Sequence, residues 1–223
     1  MKNEIPPLAR RIAAEGVGSF FLFACVIGSG IMAQRLSAGN DAVALLGNTL
    51  ATGAMLFVLI TFLGPISGAH MNPAVSLVAA SRHELRWGDT VAYIAAQLIF
   101  GILGAWAAHL MFGLPTLELS VKARHGFGQG AGEFIATFGL ILTILGTVRS
   151  RQQWVPATVA LYITAAYWFT SSTSFANPAI TVARSLTNTF AGIAPHDVPL
   201  FIVAQLLGAG FAALLARWLF DER

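Results

Sequence analysis

The sequence contains few charges and a single cysteine, and both scarcities limit what the protein can be. Only 10% of its 223 residues are charged, 56% are hydrophobic, and the mean hydropathy is +0.71. Soluble domains carry about 25% charged residues, so this composition indicates an integral membrane protein. The single cysteine, Cys25, excludes an intramolecular disulfide. The basic residues lie in short loops and form no stripe, so the pI near 9.5 does not indicate a nucleic-acid partner.

The sequence contains several apolar runs that are long enough to cross a bilayer. A hydrocarbon core of about 30 Å needs about 20 helical residues at about 1.5 Å each. Six runs meet this length, at approximately 12–34, 42–63, 90–112, 127–148, 154–172 and 198–217. The first run is longer than the apolar part of a signal peptide and has no clear cleavage site, so no cleavable signal peptide is expected. We therefore predict an all-α protein with six transmembrane helices.

The distribution of Lys and Arg predicts the orientation of these helices. With a cytoplasmic N-terminus, nine of the thirteen basic residues lie inside, Lys2 and Arg223 among them, as the positive-inside rule asks. The four outside are Arg35, Lys122, Arg124 and Arg184. Six spans return the C-terminus to the cytoplasm. The predicted location is therefore the cell membrane, inner or plasma, with both termini cytoplasmic.

Three sequence markers occur twice in the same order. In the first half they are Glu15, "HMNPAVS" at 70–76 and "AQL" at 96–98. In the second half they are Glu133, "FANPAIT" at 175–181 and "AQL" at 204–206. Three spans per half is an odd number, so the two halves must have opposite orientations in the membrane. We predict one transmembrane domain, 1–223, made of inverted repeats 8–112 and 127–219.

Each repeat contains a short segment that begins with Asn-Pro. Asparagine is a strong N-cap and proline is favoured at the first helical position, so segments 72–80 and 177–190 are predicted to start as helices at Asn72 and Asn177. The second segment is broken by Arg184 and the polar stretch after it. Non-helical backbone at membrane depth is buried in protein or lines a wet cavity. The preceding residues, 64–70 and 170–175, are therefore predicted to line a passage with their carbonyls.

The same pattern predicts what the centre of this passage does. Each Asn caps its own helix with its side-chain oxygen, which leaves its amide N–H groups to donate to a passing oxygen. Two half-helices that enter from opposite sides bring their positive ends together near the midplane. This arrangement opposes cations and interrupts a proton wire through water.

The doubled Asn-Pro-Ala, in "SGAHMNPAVS" and "SFANPAITVARS", with the paired glutamates and the repeated Ala-Gln-Leu, resembles the aquaporin and aquaglyceroporin (major intrinsic protein) family over the whole chain. The resemblance implies six helices plus two re-entrant half-helices, one pore per protomer, a homotetramer in the lipid bilayer, and passive conduction of small neutral solutes without a cofactor. It implies that Glu15 and Glu133 support the loops beside the half-helices. The motif residues that it assigns to the pore are Asn72, Pro73, Ala74, Asn177, Pro178 and Ala179.

The chain departs from this family at its selectivity filter. Water-conducting and glycerol-conducting members place an arginine directly after the second motif, where this chain has Ile180. Matching outward from the motif assigns the other filter positions to Thr52, Ala165 and Ser174. Such a filter is expected to be wide, with no aromatic ring and no cation. The pattern "NPAITVARS" resembles a bacterial subgroup associated with arsenic resistance, which makes arsenous acid, a neutral polyol-like molecule, a candidate solute.

Three residues leave alternatives open. Arg184 lies four residues beyond the filter position, on the same helix face. It is either a charge at the outer mouth or a partner of backbone carbonyls or of a loop acid such as Asp197. Glu15 and Glu133 either support loops or couple protons in a secondary transporter. Among channels, the main alternative is a narrow, water-selective pore.

Catalysis and metal binding have little support in the sequence. His70 precedes Asn72 by two residues and is predicted to line the inner vestibule. No second ligand lies at metal-binding spacing from it, so no metal site is expected. The spans contain no Ser/His/Asp or Cys/His set, so we expect a protein that is not an enzyme.

Overall fold

The computed structural model describes residues 5–220, which form an all-helical fold. The long helices in this range are α1 (Leu8–Leu36), α2 (Asp41–Ser67), α4 (Trp87–Phe112), α5 (Phe127–Arg151), α6 (Val155–Phe169) and α8 (Val198–Phe220). The short helices are α3 (Pro73–Ser81) and α7 (Pro178–Arg184). The prediction of an all-α membrane protein with two short helices is therefore confirmed. The ends of the predicted domain 1–223, with Lys2 and Arg223, lie outside the described residues.

Helices α5 and α6 share one apolar stretch of 43 residues, one of five stretches between residues 5 and 220 that are long and apolar enough to span a membrane. The helical geometry breaks at Arg151, whose φ and ψ are −153° and 66°. Beyond it, Thr158 lies 3.1 Å from Thr147, and Tyr162 donates a 3.0 Å hydrogen bond to the Ala136 carbonyl. These pairs show an antiparallel hairpin, so the stretch crosses twice.

The two ends of the described chain consequently lie on one side of the membrane. Six crossings between residues 5 and 220 bring Phe220 back to the side on which Ile5 lies. We call this the terminal side and the opposite one the far side. The loop 113–126 and the loop 185–197 lie on the far side, because each connects the far ends of two helices.

Small residues allow the helices to approach closely in each half. Gly104 of α4 lies against the backbone of Phe20 in α1, and Gly208 of α8 lies against the backbone of Phe134 in α5. A Cβ at either glycine would overlap a carbonyl oxygen, so no larger residue fits without separating the helices. These contacts hold α1 to α4 and α5 to α8.

The half-helices begin where the sequence predicts. The side-chain oxygen of Asn72 accepts a hydrogen bond from the Ala74 N–H at 2.9 Å, and that of Asn177 accepts one from the Ala179 N–H at 3.0 Å. The second half-helix ends where the sequence predicts a break, at Arg184. Helix α7 ends at Arg184, whose carbonyl accepts from the Ile193 N–H at 3.2 Å. Residues 185–190 therefore belong to a loop that folds back over the helix end.

Candidate functional site

A cavity of about 1160 Å³ runs through the helical bundle. On the terminal side its wall includes Gln152 and Gln153, at the turn between α5 and α6. It passes Asn72 and Asn177 and reaches Arg184 at the far end of α7. Residues 64–72 and 174–177 line it without interruption, so both loops that precede the half-helices contribute to the wall.

The two Asn-Pro-Ala motifs are joined directly to each other at the middle of this cavity. The Asn72 amide donates to the Ala176 carbonyl at 2.7 Å, and the Asn177 amide donates to the Met71 carbonyl at 2.8 Å. Each carboxamide has two N–H groups. One N–H of each Asn is therefore committed to the opposite motif, and the prediction that both are free is wrong for that group.

The backbone before each motif is strained in the same way. Residues four, three and one positions before the motif Asn have positive φ angles in both loops. They are Gly68 (87°), Ala69 (49°) and Met71 (48°), and Thr173 (60°), Ser174 (49°) and Ala176 (49°). Residues with a Cβ avoid this region at a cost of about 1–3 kcal/mol each, and persist there only when the surroundings hold them. Because the same conformation occurs at matched positions, the surroundings must hold this backbone in both halves of the protein.

The carboxylate of Glu15 holds the first strained loop. It is fully buried and accepts hydrogen bonds from the His70 N–H at 2.8 Å and the Met71 N–H at 2.6 Å. The Ser67 hydroxyl and the Gln97 amide donate to it as well, at 2.7 and 2.8 Å. Four donors surround this carboxylate, which is the arrangement that a loop-supporting role requires.

Glu133 has the corresponding position in the second half. It is also fully buried and accepts from the Phe175 N–H at 2.8 Å and the Ala176 N–H at 2.9 Å. Gln205 donates to it at 2.5 Å and also to the Thr181 hydroxyl at 2.9 Å. The Ala-Gln-Leu repeat therefore provides the glutamine that anchors each carboxylate to a neighbouring helix.

Three of the four predicted filter residues line the cavity, and one does not. Thr52, Ser174 and Ile180 are buried and belong to its wall. Ala165 is exposed on the outer face of α6, together with Leu161 and Trp168. These three are spaced by four and three residues, so they share one helix face, which points away from the cavity. The assignment of Ala165 to the filter is therefore wrong.

The far end of the cavity holds aromatic rings and a cation that the sequence assignment missed. Tyr167 lies two residues beyond Ala165, on the opposite face of α6, and its hydroxyl is 3.4 Å from that of Thr52. The guanidinium carbon of Arg184 lies 3.3 Å from the centre of the Phe175 ring. All four side chains line the cavity. The cavity wall therefore includes aromatic rings and a cation, which the predicted filter positions do not contain.

Arg184 combines features of both alternatives considered for it. It is buried, lines the cavity, and donates from Nε to the Ala191 carbonyl. Asp197, the suggested loop acid, instead accepts a 2.7 Å hydrogen bond from the Arg124 N–H. The guanidinium is thus a charge on the cavity wall, held in place by a backbone carbonyl and the Phe175 ring.

Arg124, from the loop before α5, supports this far end. Its Nη1 donates to the Ser172 carbonyl at 3.0 Å and its Nε donates to the Gly192 carbonyl at 2.9 Å. Its guanidinium carbon lies 5.0 Å from the centre of the Phe175 ring. Burial lowers the pKa of Arg124 to about 10, which leaves it charged at neutral pH. The sequence alone does not predict this contact, because Arg124 lies about fifty positions before the second motif and no spacing pattern joins them.

A third cation, Lys122, lies in the same loop. Its Nζ donates to the Phe190 carbonyl at 2.8 Å. Burial, followed by the charges of Arg124 and Arg184, lowers the pKa of the Lys122 ammonium from 10.5 to about 8, and Asp41 opposes the shift. The far end of the protein therefore carries a titratable positive charge just above neutral pH.

His70 lies on the cavity wall beside the first motif, as predicted for a vestibule residue. Its Nδ1 is 3.0 Å from the Ser76 hydroxyl, and its ring packs edge-on to Tyr93 at 5.5 Å between centroids. The Ser76 hydroxyl also accepts from Gln97 at 3.0 Å. The imidazole is thus oriented by α3 and α4 and faces the passage.

Comparison with known proteins identifies the family. Residues 3–174 match the profile of the major intrinsic protein family. The chain is 57% identical over 212 residues to the aquaglyceroporin AqpS of Rhizobium meliloti (strain 1021), covering 95% of this chain and 91% of that protein. It is 30% identical over 248 residues to the aquaporin AqpM of Methanothermobacter thermautotrophicus, covering 96% of this chain and 99% of that protein.

A solved structure agrees with the fold. The X-ray structure of the aquaglyceroporin from Plasmodium falciparum superposes with a TM-score of 0.77, covering 96% of this chain and 98% of that chain at 19% identity. The predictions of an aquaporin-like fold and of a channel that is not an enzyme are confirmed by these relatives. The chain is a multi-pass membrane protein that belongs to the major intrinsic protein family of channels.

Proposed function

We propose that this channel passively conducts water and small uncharged polyols such as glycerol, with arsenous acid as a further candidate solute, and that it excludes protons. The observation that carries the proposal is the cavity of about 1160 Å³ that passes between two asparagines, Asn72 and Asn177. Each has one N–H held by the opposite motif and one more to offer a solute oxygen.

The composition of the wall supports polyols as solutes. One part of it is apolar, with Leu56 and Ile60 of α2 among its side chains. Another part consists of the two loops and their asparagines. A polyol has a carbon skeleton and hydroxyl groups, so it needs both kinds of surface. The relative with 57% identity is named an aquaglyceroporin, in agreement with this solute class.

Proton exclusion is proposed from the charges around the middle of the cavity. The N-termini of α3 and α7 meet there, and each has a partial positive charge. A water that accepts from both asparagines directs its own hydrogens away from the centre, so a proton cannot pass along an unbroken chain of waters. Arg184 adds a full positive charge farther along the wall.

A water-selective pore is the second candidate. The specific observation in its favour is the group at the far end, where Tyr167, Phe175 and Arg184 all line the cavity. These bulky side chains narrow the part of the passage that the predicted filter residues would leave wide. Permeation of glycerol relative to water distinguishes the two candidates.

Proton-coupled transport has less support. Coupling needs a carboxyl group that gains and loses its proton during transport. Glu15 and Glu133 are fully buried and surrounded by hydrogen-bond donors, and neither lines the cavity. Their hydrogen-bond partners are loop N–H groups and neighbouring side chains, so both carboxylates serve the structure of the loops.

We further propose that segments 8–112 and 127–219 are inverted repeats, that both termini are cytoplasmic, and that the channel is a homotetramer. The repeat is supported by matching hydrogen bonds in the two halves, from Gln97 to Glu15 and from Gln205 to Glu133. The orientation is supported by the seven basic residues that lie on the terminal side between residues 5 and 220. The tetramer follows from the family resemblance alone.

Stopped-flow light scattering on proteoliposomes tests the proposed function. The vesicles are challenged with hyperosmotic glycerol, with sucrose as the control for water flow and protein-free liposomes as the baseline. Faster shrinking followed by faster reswelling is the expected result for a channel that conducts both water and polyols. Faster shrinking without faster reswelling would instead establish a water-selective pore, and unchanged traces would overturn the channel proposal.

A further inference from the structure

Two loops on the far side bring together three side chains that sequence spacing does not connect. His125 follows Arg124 in the loop before α5, and His196 and Asp197 form the turn Pro195–Asp197 before α8. One ligand atom from each of the three lies within 4.8 Å of the other two. Two imidazoles and a carboxylate make up a donor set that binds zinc in proteins.

The backbone around this group holds its two loops in place. The Ala194 N–H donates to the Lys122 carbonyl at 2.7 Å, which joins the two loops. Lys122 lies three residues before His125, and Ala194 lies two residues before His196. The Asp197 N–H donates to the Ala194 carbonyl at 2.9 Å. The ligand-bearing segments are therefore attached to each other without any metal.

The carboxylate is oriented toward the histidines. The Oδ2 of buried Asp197 accepts from the Arg124 N–H at 2.7 Å, and its Oδ1 lies 3.5 Å from the His196 Nε2. A backbone donor that fixes a ligating carboxylate in this way is a typical outer-shell feature of metal sites. Both histidines are exposed, so an ion can reach them from the solvent without entering the cavity.

The distances suit an ion of this kind. Zinc bonds to nitrogen and oxygen of about 2.0–2.2 Å place tetrahedral ligand atoms about 3.4 Å apart. Separations of up to 4.8 Å need to contract by at most about 1.4 Å, which rotation of the two exposed imidazoles supplies. Three protein ligands leave a fourth position for water.

We propose that His125, His196 and Asp197 bind one Zn²⁺ ion on the far side of the channel. The site is separate from the cavity wall, since none of the three residues lines it. The proposal therefore depends on the geometry of the loops and not on which solute the channel conducts.

Zinc binding to the purified full chain, with any affinity tag removed, tests the proposal. Bound Zn²⁺ is measured by equilibrium dialysis with elemental analysis, and Co²⁺ provides a visible spectrum that reports nitrogen and oxygen ligands. The variants are His125→Asn and His196→Asn, and the matched control is His83→Asn, an exposed histidine on the terminal side. Asp197 stays unchanged because its carboxylate also holds the loop backbone.

The expected result is one Zn²⁺ per chain for the wild type and for His83→Asn, with affinity lowered at least tenfold in both site variants. The visible Co²⁺ spectrum should be lost in the same two variants. Unchanged affinity in either site variant would overturn the proposal. So would an equal loss in His83→Asn, which would indicate nonspecific binding to surface histidines.

Discussion

Replacing Asn177 with aspartate removes both N–H groups of its amide and leaves the helix cap in place. Asp and Asn are equally good N-caps, so the bonds from the Ala179 and Ile180 N–H groups to the side-chain oxygen should persist. The 2.8 Å hydrogen bond to the Met71 carbonyl is lost, and a carboxylate oxygen then faces that carbonyl. Asn177→Asp therefore tests the hydrogen bond between the motifs without changing the cap that starts helix α7.

The magnitude follows from that one contact. A buried carbonyl that loses its donor costs about 1–3 kcal/mol, and repulsion from the new carboxylate adds to this cost. The substitution also changes the electrostatic potential at the middle of the cavity. The N-termini of α3 and α7 together carry roughly one positive elementary charge, which a single carboxylate cancels. We expect Asn177→Asp to be less stable and to let protons through.

Two measurements test this reasoning. Unfolding in mixed detergent micelles gives the loss of stability, and a pH-sensitive dye inside proteoliposomes gives the proton flux under an imposed pH gradient. The matched control is Asn188→Asp in the exposed far-side loop, whose oxygen accepts from the Val121 N–H at 3.2 Å and which keeps that bond as aspartate. If Asn177→Asp matched the wild type in both measurements, the proposed role of the motif contact in stability and proton exclusion would be refuted.

Three further variants test the loop carboxylate Glu133, the filter residue Ile180 and the far-side loop residue Lys122. Glu133→Gln weakens three hydrogen bonds by removing the charge, so unfolding in micelles should show a loss of roughly 3 kcal/mol, while wild-type glycerol uptake should be equal with and without a pH gradient. Ile180→Arg should reduce glycerol permeation more than water permeation in stopped-flow assays; equal loss of both would contradict the placement of the filter. Because the pKa of Lys122 falls from 10.5 to about 8 on folding, the unfolded chain binds more protons between these values. Stability should therefore rise with pH across that window in the wild type and less in Lys122→Met.

The fold could be predicted from the sequence because the features that determine it are local or repeated. Long apolar runs set the spanning helices, and Asn-Pro set the starts of α3 and α7 through capping chemistry. The end of α7 at Arg184 was also predicted, since Arg184 and the polar stretch after it were expected to break this segment. The chain turns there because the Arg184 carbonyl and side chain both bind residues of the returning loop.

The filter was predicted only in part, for a geometric reason. Thr52, Ser174 and Ile180 were assigned correctly to the cavity wall, but counting outward along α6 reached Ala165 and not Tyr167. An error of two residues on a helix rotates a side chain by about 200°, to the opposite face. Phe175 could have been predicted to line the cavity, since it lies between Ser174 and Ala176 in the loop before the second motif.

The strained residues before each motif connect the two halves of the protein. The Met71 N–H donates to Glu15 of its own half, and the Met71 carbonyl accepts from Asn177 of the other half. Ala176 does the same between Glu133 and Asn72. Met71 and Ala176 are thus each held at both the N–H and the carbonyl, which explains how their left-handed conformation persists at the centre of the channel.

This arrangement predicts that Glu15 and Asn177 are energetically coupled through Met71, to which both are hydrogen-bonded. Once Glu15→Gln has loosened Met71, the bond from Asn177 to the Met71 carbonyl contributes less, so the two substitutions together should cost less than the sum of their separate effects. The expected coupling is about 0.5–3 kcal/mol in a double-mutant cycle of unfolding free energies. The same cycle with Asn188→Asp in place of Asn177→Asp should be additive, because Asn188 shares no partner with Glu15. Additive effects for Glu15→Gln and Asn177→Asp would mean that Met71 stays in place without its carboxylate, and that its strain has another cause.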